Sequence, residues 1–347
     1  MNKWLVLMFM SVLIGALMGC PIKKEMEYYD ICRQEEIAVL DPNNGSFVSE
    51  PDYLDFDAVD GVSVSNTVDC QGIWIQRDNE IEGYKQSRTF HKHRIYKNKI
   101  YMLEKAGGSW YIGGLAQFDY VTNTFQTILK DCFCYDFEKS ENGLLIFMND
   151  SSSAHKSELK TGLYLYDPDA KSLELVFSGR CFDLFAHGSS AWFAVSDETE
   201  YSFVKIDLVN REILWTIPFS MEEAYHVFLW IPCGEDAVWI VAKDLTQKSF
   251  VISRFSSDGT NETVYRSETD MFAIGFAGNE NELYVSCFSK TESDRKSNVS
   301  LIDVYHFSVS DRTMTTYLSS ILFGRFFIKE DKVSLIRRQN MRGDMYW

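Results

Sequence analysis

The chain has 347 residues, with 50 Asp and Glu against 34 Lys and Arg and a hydrophobic content of 46%. These proportions are ordinary for a globular protein and exclude a disordered or collagen-like chain. The net charge of −16 and the absence of any long basic run argue against nucleic acid as a partner, because phosphate binding needs clustered Lys and Arg. An aromatic content of 15% with only 6 prolines favours β-sheet.

The first 19 residues have the form of an export signal. Residues 1–3 are basic, residues 4–18 contain no charged side chain, and this apolar run is too short to span a bilayer permanently. It ends in Leu17-Met18-Gly19-Cys20, which resembles the bacterial lipobox. The resemblance implies a thioether-linked lipid on Cys20 and cleavage before it. An uncleaved signal anchor with an incidental cysteine is the alternative.

The lipobox resemblance sets expectations for location. We expect the mature protein to lie outside the cytoplasm, attached by its lipid to the cell membrane or the outer membrane. Pro21 stands where some lipoproteins carry an Asp-type retention signal, which favours the outer membrane.

Seven cysteines remain after Cys20, an odd number, so at least one is outside any intrachain disulfide. Cys132 and Cys134 would lie two strand rises apart in a continuous strand, too far for a comfortable mutual disulfide. We expect five cysteines to be small buried hydrophobic residues: Cys132, Cys134, Cys181, Cys233 and Cys287. Cys32 and Cys70 are the candidate disulfide pair.

The body of the chain repeats one pattern, in which an apolar strand ends at a polar turn with Asp and a second short strand follows. The copies are Ile37-Ala38-Val39-Leu40-Asp41, Ala116-Gln117-Phe118-Asp119, Leu163-Tyr164-Leu165-Tyr166-Asp167 and Phe203-Val204-Lys205-Ile206-Asp207, with looser ones at 251–258 and 303–311. With Gln76 in a degenerate copy, the period is about 44 residues, and two more strands fit between successive copies. Four strands in such a repeat are typical of a β-propeller blade.

The chain therefore resembles bacterial β-propeller lipoproteins over residues 36–340. The resemblance implies an all-β propeller of six to eight four-stranded blades, with seven favoured. Residues 323–336 at the end of the chain supply the strands that the first repeat lacks, so we expect N- and C-terminal strands to close the ring. Residues 20–35 are then the lipidated cysteine and a linker, and residues 341–347 a tail.

Motifs that could carry chemistry are weak. The two imidazoles of His91-Lys92-His93 lack a third ligand, so exposed strand residues are expected there. Asp167-Pro168-Asp169 is interpreted as a turn and Arg342-Gly343-Asp344 as part of the tail. No nucleophile elbow is present, and no catalytic, cofactor-binding or metal-binding residue is assigned. Trp110 and Tyr111 lie between two glycine pairs and are the tentative exposed interaction surface.

Three classes of function fit these features. The favoured one is an interaction scaffold, not an enzyme, held at a membrane by the lipid on Cys20 and bound to an envelope protein, with no cofactor. The alternatives are a small-molecule or glycan binding protein that uses the central depression, and a propeller enzyme such as a lactonase, lyase or quinoprotein dehydrogenase.

Overall fold

The computed structural model describes residues 23–39, 46–49, 56–66, 72–77, 80–85, 89–105, 113–132, 134–148, 159–197, 200–219, 225–244, 246–247, 249–268, 271, 273–288, 301–322, 324–329 and 332–346. Throughout these residues the regular secondary structure is β-strand. A search of the same residues finds no helix long and apolar enough to cross a membrane.

Strands β1 (Lys23–Val39) and β2 (Ser46–Ser49) precede six antiparallel four-stranded sheets. Sheet 1 contains β3 (Phe56–Val59), β4 (Val62–Asn66), β5 (Gly72–Arg77) and β6 (Glu80–Lys85), and sheet 2 contains β7 (Thr89–Tyr96), β8 (Lys99–Lys105), β9 (Gly113–Asp119) and β10 (Thr124–Cys132). Sheet 3 contains β11 (Cys134–Ser140), β12 (Gly143–Met148), β13 (Gly162–Asp167) and β14 (Ser172–Ser178), and sheet 4 contains β15 (Cys181–His187), β16 (Ser190–Asp197), β17 (Glu200–Asp207) and β18 (Glu212–Phe219).

Sheet 5 contains β19 (Tyr225–Cys233), β20 (Ala237–Asp244), β21 (Ser249–Ser256) and β22 (Asn261–Arg266), and sheet 6 contains β23 (Ala273–Gly278), β24 (Glu282–Phe288), β25 (Leu301–Ser308) and β26 (Thr313–Leu322). Strands β27 (Gly324–Lys329) and β28 (Lys332–Tyr346) follow. Within each sheet, strands pair in chain order.

Strands from the two ends of the chain pair with each other. β1 runs antiparallel to β28, and β27 pairs with the other edge of β28. Residues 344–346 also run parallel to residues 82–84 of sheet 1, and β2 pairs with β23 of sheet 6. This pairing is compatible with the expected closure by terminal strands.

The regions expected to be a linker and a tail contain β-strands. Residues 23–35 of the expected linker belong to β1, and most of the expected tail, including Arg342-Gly343-Asp344, belongs to β28. The physical reason is that ladder hydrogen bonds between two backbones hold a polar segment in a sheet whatever its hydropathy.

The first strand of each sheet is the innermost one. β3, β7, β11 and β15 contact each other in succession, and so do β19, β23 and β27. The fourth strand of each sheet consequently lies farthest out. Because the strands alternate in direction, the turns between first and second strands and between third and fourth strands lie at one end of the sheets, and the other connections leave at the opposite end.

The hydrophobic core lies between consecutive sheets. Five clusters of buried side chains each join two neighbouring sheets, from sheets 1 and 2 through to sheets 5 and 6. Trp192, Trp230 and Trp239 are buried in these clusters. Each large apolar side chain buried in this way contributes about 1.5–3 kcal/mol.

Three of the expected Asp turns share one geometry where the third strand of a sheet joins the fourth, whereas Asp41 lies outside the described residues. In each, the carboxylate at the end of the third strand accepts hydrogen bonds from two backbone N–H groups, at 2.7–3.1 Å. The turns are those of Asp119 with Val121 and Thr122, Asp167 with Asp169 and Ala170, and Asp207 with Val209 and Asn210. The two N–H groups lower the pKa of Asp167 because they favour its ionised form.

The last residue of these turns has a positive φ and reaches toward the preceding sheet. The residues are Asn123 (φ 53), Lys171 (φ 53), Arg211 (φ 60) and Arg312 (φ 55). Three of them bind the fourth strand of the sheet before their own: Asn123 accepts from Tyr84, Arg211 donates to Glu174, and Arg312 donates to Glu262. The repeat therefore includes a contact between sheets as well as a turn.

The outermost strands carry β-bulges. Register shifts interrupt the pairing of β10, β14, β18, β22 and β26 with their neighbours. A bulge bends an edge strand and increases its twist, which hinders edge-to-edge pairing with another chain. The free edges of these sheets are thus poor templates for strand addition.

Candidate functional site

Six charged side chains on the innermost strands form a network that we call the inner-strand network. Its members are Asp57 on β3, Lys92 and Arg94 on β7, and Asp136, Glu138 and Lys139 on β11. Because side chains alternate along a strand, the two cations of β7 share one face, and the carboxylates of residues 136 and 138 share one face of β11. The network contains three cations and three carboxylates.

The contacts between β7 and β11 are direct ion pairs. Lys92 Nζ lies 2.7 Å from Asp136 Oδ1 and 3.3 Å from Glu138 Oε2, and Arg94 Nε lies 2.6 Å from Glu138 Oε1. Burial alone would raise the pKa of Glu138, but the charges of Arg94 and Lys92 and the hydrogen bond from Arg94 outweigh it and lower that pKa to about 2. Glu138 is therefore ionised at all physiological pH values.

Asp57 links three innermost strands. Its side chain is only 2% exposed, and its Oδ2 accepts a hydrogen bond of 2.6 Å from the backbone N–H of Ile95 on β7. Lys139 Nζ of β11 lies 2.8 and 2.6 Å from its two carboxylate oxygens. One buried carboxylate thus satisfies groups from the two following sheets.

An aromatic residue followed by Asp recurs on the innermost strands, and each Asp accepts an N–H from the innermost strand of the next sheet. The pairs are Phe56-Asp57 with Ile95 N, Tyr135-Asp136 with Leu184 N at 3.3 Å, and Phe182-Asp183 with Trp230 Nε1 at 3.1 Å. Sequence analysis missed this motif. Its signal was the recurrence of aromatic-Asp at the start of the strand that begins a repeat.

The network consists of mutually satisfied groups. Each of its carboxylates already binds at least one cation, and no nucleophile lies beside a base among these six residues. Nor do the described residues include a group of three or more His, Cys, Asp or Glu side chains able to hold a metal ion. Chemically, this arrangement can fasten successive sheets together at their inner edges.

The structure does not describe the site residues that the sequence predicts. Cys20, Trp110 and Tyr111 lie outside the described residues. The expectation that the histidines of His91-Lys92-His93 are exposed is wrong for His93, which is fully buried because β7 is an inner strand packed between sheets. The side chain of His91 is not among those described.

Six four-stranded sheets have a hydrophobic cluster between each sheet and the next, and their first strands contact in succession over sheets 1–4 and again over sheets 5 and 6. This is the architecture of a β-propeller. Comparison with solved structures gives the same result. The tricorn protease superimposes with a TM-score of 0.51 at 10% identity, over 89% of this chain and 34% of that one. A protein from Lactobacillus plantarum gives 0.50 at 10% identity, over 84% and 89% of the two chains. The chain is a β-propeller.

The comparisons extend to the fold and no further. The propeller spans about a third of the tricorn protease chain. At identities near 10%, such likeness establishes neither an enzyme nor a non-enzyme. The sequence matches no protein-family model and no curated protein sequence.

Sheets 1–6 are the blades of the propeller and keep their numbers. The rim of the propeller exposes large apolar side chains on blades 3 and 4. We call Leu175, Val209, Ile213 and Leu214 the outer apolar patch, and their exposed fractions are 38%, 64%, 52% and 49%. Arg211 of blade 4 makes a two-pronged ion pair with Glu174 of blade 3, which joins the two outermost strands next to these residues.

The described cysteines behave largely as small core residues. Cys132, Cys181, Cys233 and Cys287 are buried and Cys134 is partly buried, which agrees with the sequence expectation. The assumption of a continuous strand through Cys132 and Cys134 is wrong, because β10 ends at the first and β11 of the next blade begins at the second. Their sulfurs lie 3.4 Å apart. Of the candidate disulfide pair, Cys70 and the side chain of Cys32 lie outside the described part of the chain.

Proposed function

We propose that this β-propeller is a lipid-anchored interaction scaffold of the bacterial cell envelope, which binds an envelope protein through the outer apolar patch. The observation that carries the scaffold role is the exposure of four large apolar side chains on two adjacent blades. The lipobox-like Leu17-Met18-Gly19-Cys20 supports the anchor and the location outside the cytoplasm.

The outer apolar patch leaves much of its apolar surface in water. A folded chain gains little from large apolar side chains that stay in water, and contiguous ones on a surface mark sites of protein contact. Ile213 and Leu214 are consecutive, and the bulge of β18 lets both be exposed instead of one pointing inward. A partner that covers them would gain about 25 cal/mol for each Å² of apolar surface removed from water.

The inner-strand network supports a scaffold over a catalytic centre. A general acid or base works best with a pKa near the operating pH, whereas Arg94 and Lys92 hold the pKa of Glu138 at about 2. Asp57 is occupied by a backbone N–H and an ammonium group. The titratable groups at the centre of the ring therefore serve to join blades.

The charge near the patch indicates what kind of surface the partner presents. Glu174 and Glu212 are exposed beside the patch, and the whole chain has a net charge of −16. We therefore propose a partner that presents an apolar surface with basic residues at its rim, since complementary charge favours association and rejects like-charged proteins.

Site-specific photo-crosslinking in cells tests the scaffold role. A photoreactive amino acid at Leu214 should give one dominant adduct, and the same residue at Thr263 should not. Thr263 is the matched control because it is exposed on the outermost strand of the next blade and lies outside the patch. Equal adduct yields at the two positions, or no adduct at Leu214, would contradict the proposal.

Lipidation is tested separately with Cys20→Ala. We expect the variant to lose incorporation of labelled fatty acid and to leave the washed membrane fraction. A variant that remains membrane-bound to the same extent as the wild type would refute the anchor, and it would leave the crosslinking result unaffected.

A further inference from the structure

Three sulfur-containing residues lie close together where blade 2 passes into blade 3. Cys132 ends β10, Cys134 begins β11, and their Sγ atoms lie 3.4 Å apart. Met148, the last residue of β12, is the ladder partner of Cys134. Residues directly opposite in an antiparallel pair project their side chains to the same face, with Cβ atoms about 4.5–5.5 Å apart.

The surroundings of these sulfurs are apolar and largely closed to water. Met148 is 2% exposed and Cys132 is 4% exposed, and both belong to the hydrophobic cluster between blades 2 and 3, against which Cys134 packs. A water-poor environment disfavours hard metal ions, which prefer oxygen ligands and water, and favours soft ions that bind sulfur.

We propose that Cys132, Cys134 and Met148 form a binding site for a single Cu(I) ion. This inference is independent of the proposed scaffold function, since it involves other residues and another face of the blades.

The spacing fits a three-coordinate ion. With metal–sulfur bonds of about 2.3 Å, as in zinc thiolates, three sulfurs around one ion lie about 4 Å from each other. The two thiols are already at 3.4 Å. Separation by about half an ångström admits the ion, and cysteine side chains provide it by small rotations about the Cα–Cβ bond.

The donor set selects a soft ion. Thiolate and thioether sulfur prefer Cu(I), and a thioether is a poor ligand for harder divalent ions. Zinc completes a tetrahedron of four ligands drawn from Cys, His and carboxylates, and the described residues offer no third ligand of that kind beside the two thiols. Cu(I) needs no fourth ligand.

Binding must release two protons. Cu⁺ and two neutral thiols give a complex of charge −1 and two H⁺, with the thioether bound as a neutral donor and no change in oxidation state. The thiolate and not the thiol is the form that ligates a metal, so each cysteine gives up its proton on binding. Cu(I) affinity should therefore rise about 100-fold per pH unit, tenfold for each proton released.

Cys181 provides a matched control. It is the first residue of the innermost strand of blade 4, as Cys134 is of blade 3, and it is buried. Its sulfur donates to the backbone carbonyl of Gly179 and has no neighbouring cysteine in its cluster. Cys181→Ser therefore removes a buried thiol at the equivalent position without touching the proposed site.

The test is an anaerobic titration of the reduced full chain with Cu(I) against a chromophoric Cu(I) chelator. The wild type and Cys181→Ser should bind one more Cu(I) than the double variant C132S/C134S. Met148→Leu should keep the fold and lower the affinity for this Cu(I) ion by about 10–100-fold. This is the range seen when a supporting group of a metal site is lost. X-ray absorption should show sulfur neighbours only, at about 2.3 Å.

Several results would overturn the site. Equal Cu(I) stoichiometry in the wild type and the double variant would do so, as would an unchanged affinity in Met148→Leu or nitrogen and oxygen neighbours in the absorption spectrum. An affinity independent of pH would also refute it, because two thiols must lose their protons. Near-UV circular dichroism of each variant without metal shows that the fold is intact.

Discussion

The ion pairs of Glu138 should make the stability of the propeller depend on pH in a way that one substitution removes. Glu138 lies on the innermost strand β11, and its side chain is 16% exposed. Arg94 donates to it at 2.6 Å and Lys92 Nζ lies 3.3 Å away. These cations lower its pKa from the usual 4.5 to about 2 despite burial, so the folded state favours the carboxylate over the acid.

The sign and size of the effect follow from linkage. A carboxyl group whose pKa is lower in the folded state stabilises the fold above its unfolded pKa, and the contribution is lost as pH falls from about 4.5 to 2. At 1.36 kcal/mol per pKa unit, Glu138 contributes about 3 kcal/mol at pH 6. Glu138→Gln keeps the shape but has no charge, so its unfolding free energy should lack this component.

Urea unfolding of wild type and Glu138→Gln between pH 2.5 and 6 measures the effect. The difference in unfolding free energy should be about 3 kcal/mol at pH 6 and should shrink steadily as the pH approaches 2.5. Glu212→Gln is the control, because Glu212 is exposed, and it should change stability by less than about 0.5 kcal/mol. A difference that stays constant with pH would refute the assignment of the low pKa to these ion pairs.

Three further substitutions test other features by the denaturant midpoint at unchanged m-value. Asp57→Ala should lower the free energy of unfolding by about 2–4 kcal/mol, because it leaves the N–H of Ile95 and the partly buried ammonium of Lys139 without their acceptor. A loss below about 0.5 kcal/mol would contradict this. Lys171→Gly should stabilise by about 0.5–1 kcal/mol, since Lys171 has a φ of 53° that glycine adopts more easily, and an unchanged midpoint argues against strain there. Gly83→Ala should cost about 1–3 kcal/mol, because a Cβ would lie 2.2 Å from the ring of Trp74 on the paired strand; tolerance of alanine shows that the ring can move.

The strands were predictable because each is a short local pattern. The expected strands at 116–119, 163–167 and 203–207 lie within β9, β13 and β17, and the second strand expected after each is β10, β14 and β18 respectively. The Asp at the end of the third strand marks the turn, and the turn uses it as a hydrogen-bond acceptor. Four strands per period then gave the propeller, and the six four-stranded sheets lie within the expected six to eight blades.

The site was much less predictable, because its contacts join residues far apart in sequence. Asp57 and Lys139 are 82 residues apart, and Lys92 and Asp136 are 44 apart. From sequence, Lys92 belonged to a possible metal motif, whereas in the fold it is a partner of two carboxylates. About one period of the repeat separates Lys92 from Asp136, and about two separate Asp57 from Lys139. A search for charged pairs at these spacings would have found part of the network.

The terminal strands show a different limit of prediction from the sequence. Residues 23–35 carry no pattern of a buried strand, and their pairing with β28 depends on a backbone more than 300 residues away. Because ladder hydrogen bonds are made by the main chain, hydropathy does not report them. The same long separation makes the pairing of β1 with β28 a non-local step of folding.

The fold gives a structural reason for part of the acidic composition. Asp119, Asp167 and Asp207 bind backbone N–H groups in equivalent turns, and Asp57 and Asp136 bind N–H groups of the next blade. A carboxylate is the acceptor of choice at both positions because it can take several hydrogen bonds at once. Every repeat of the propeller therefore favours acidic residues for structural reasons. It follows that net charge alone does not identify a partner. The exposed carboxylates of Glu174 and Glu212 beside the outer apolar patch are not the acceptors in these turns or in these N–H contacts between blades, so they are the ones to change when partner selection is tested.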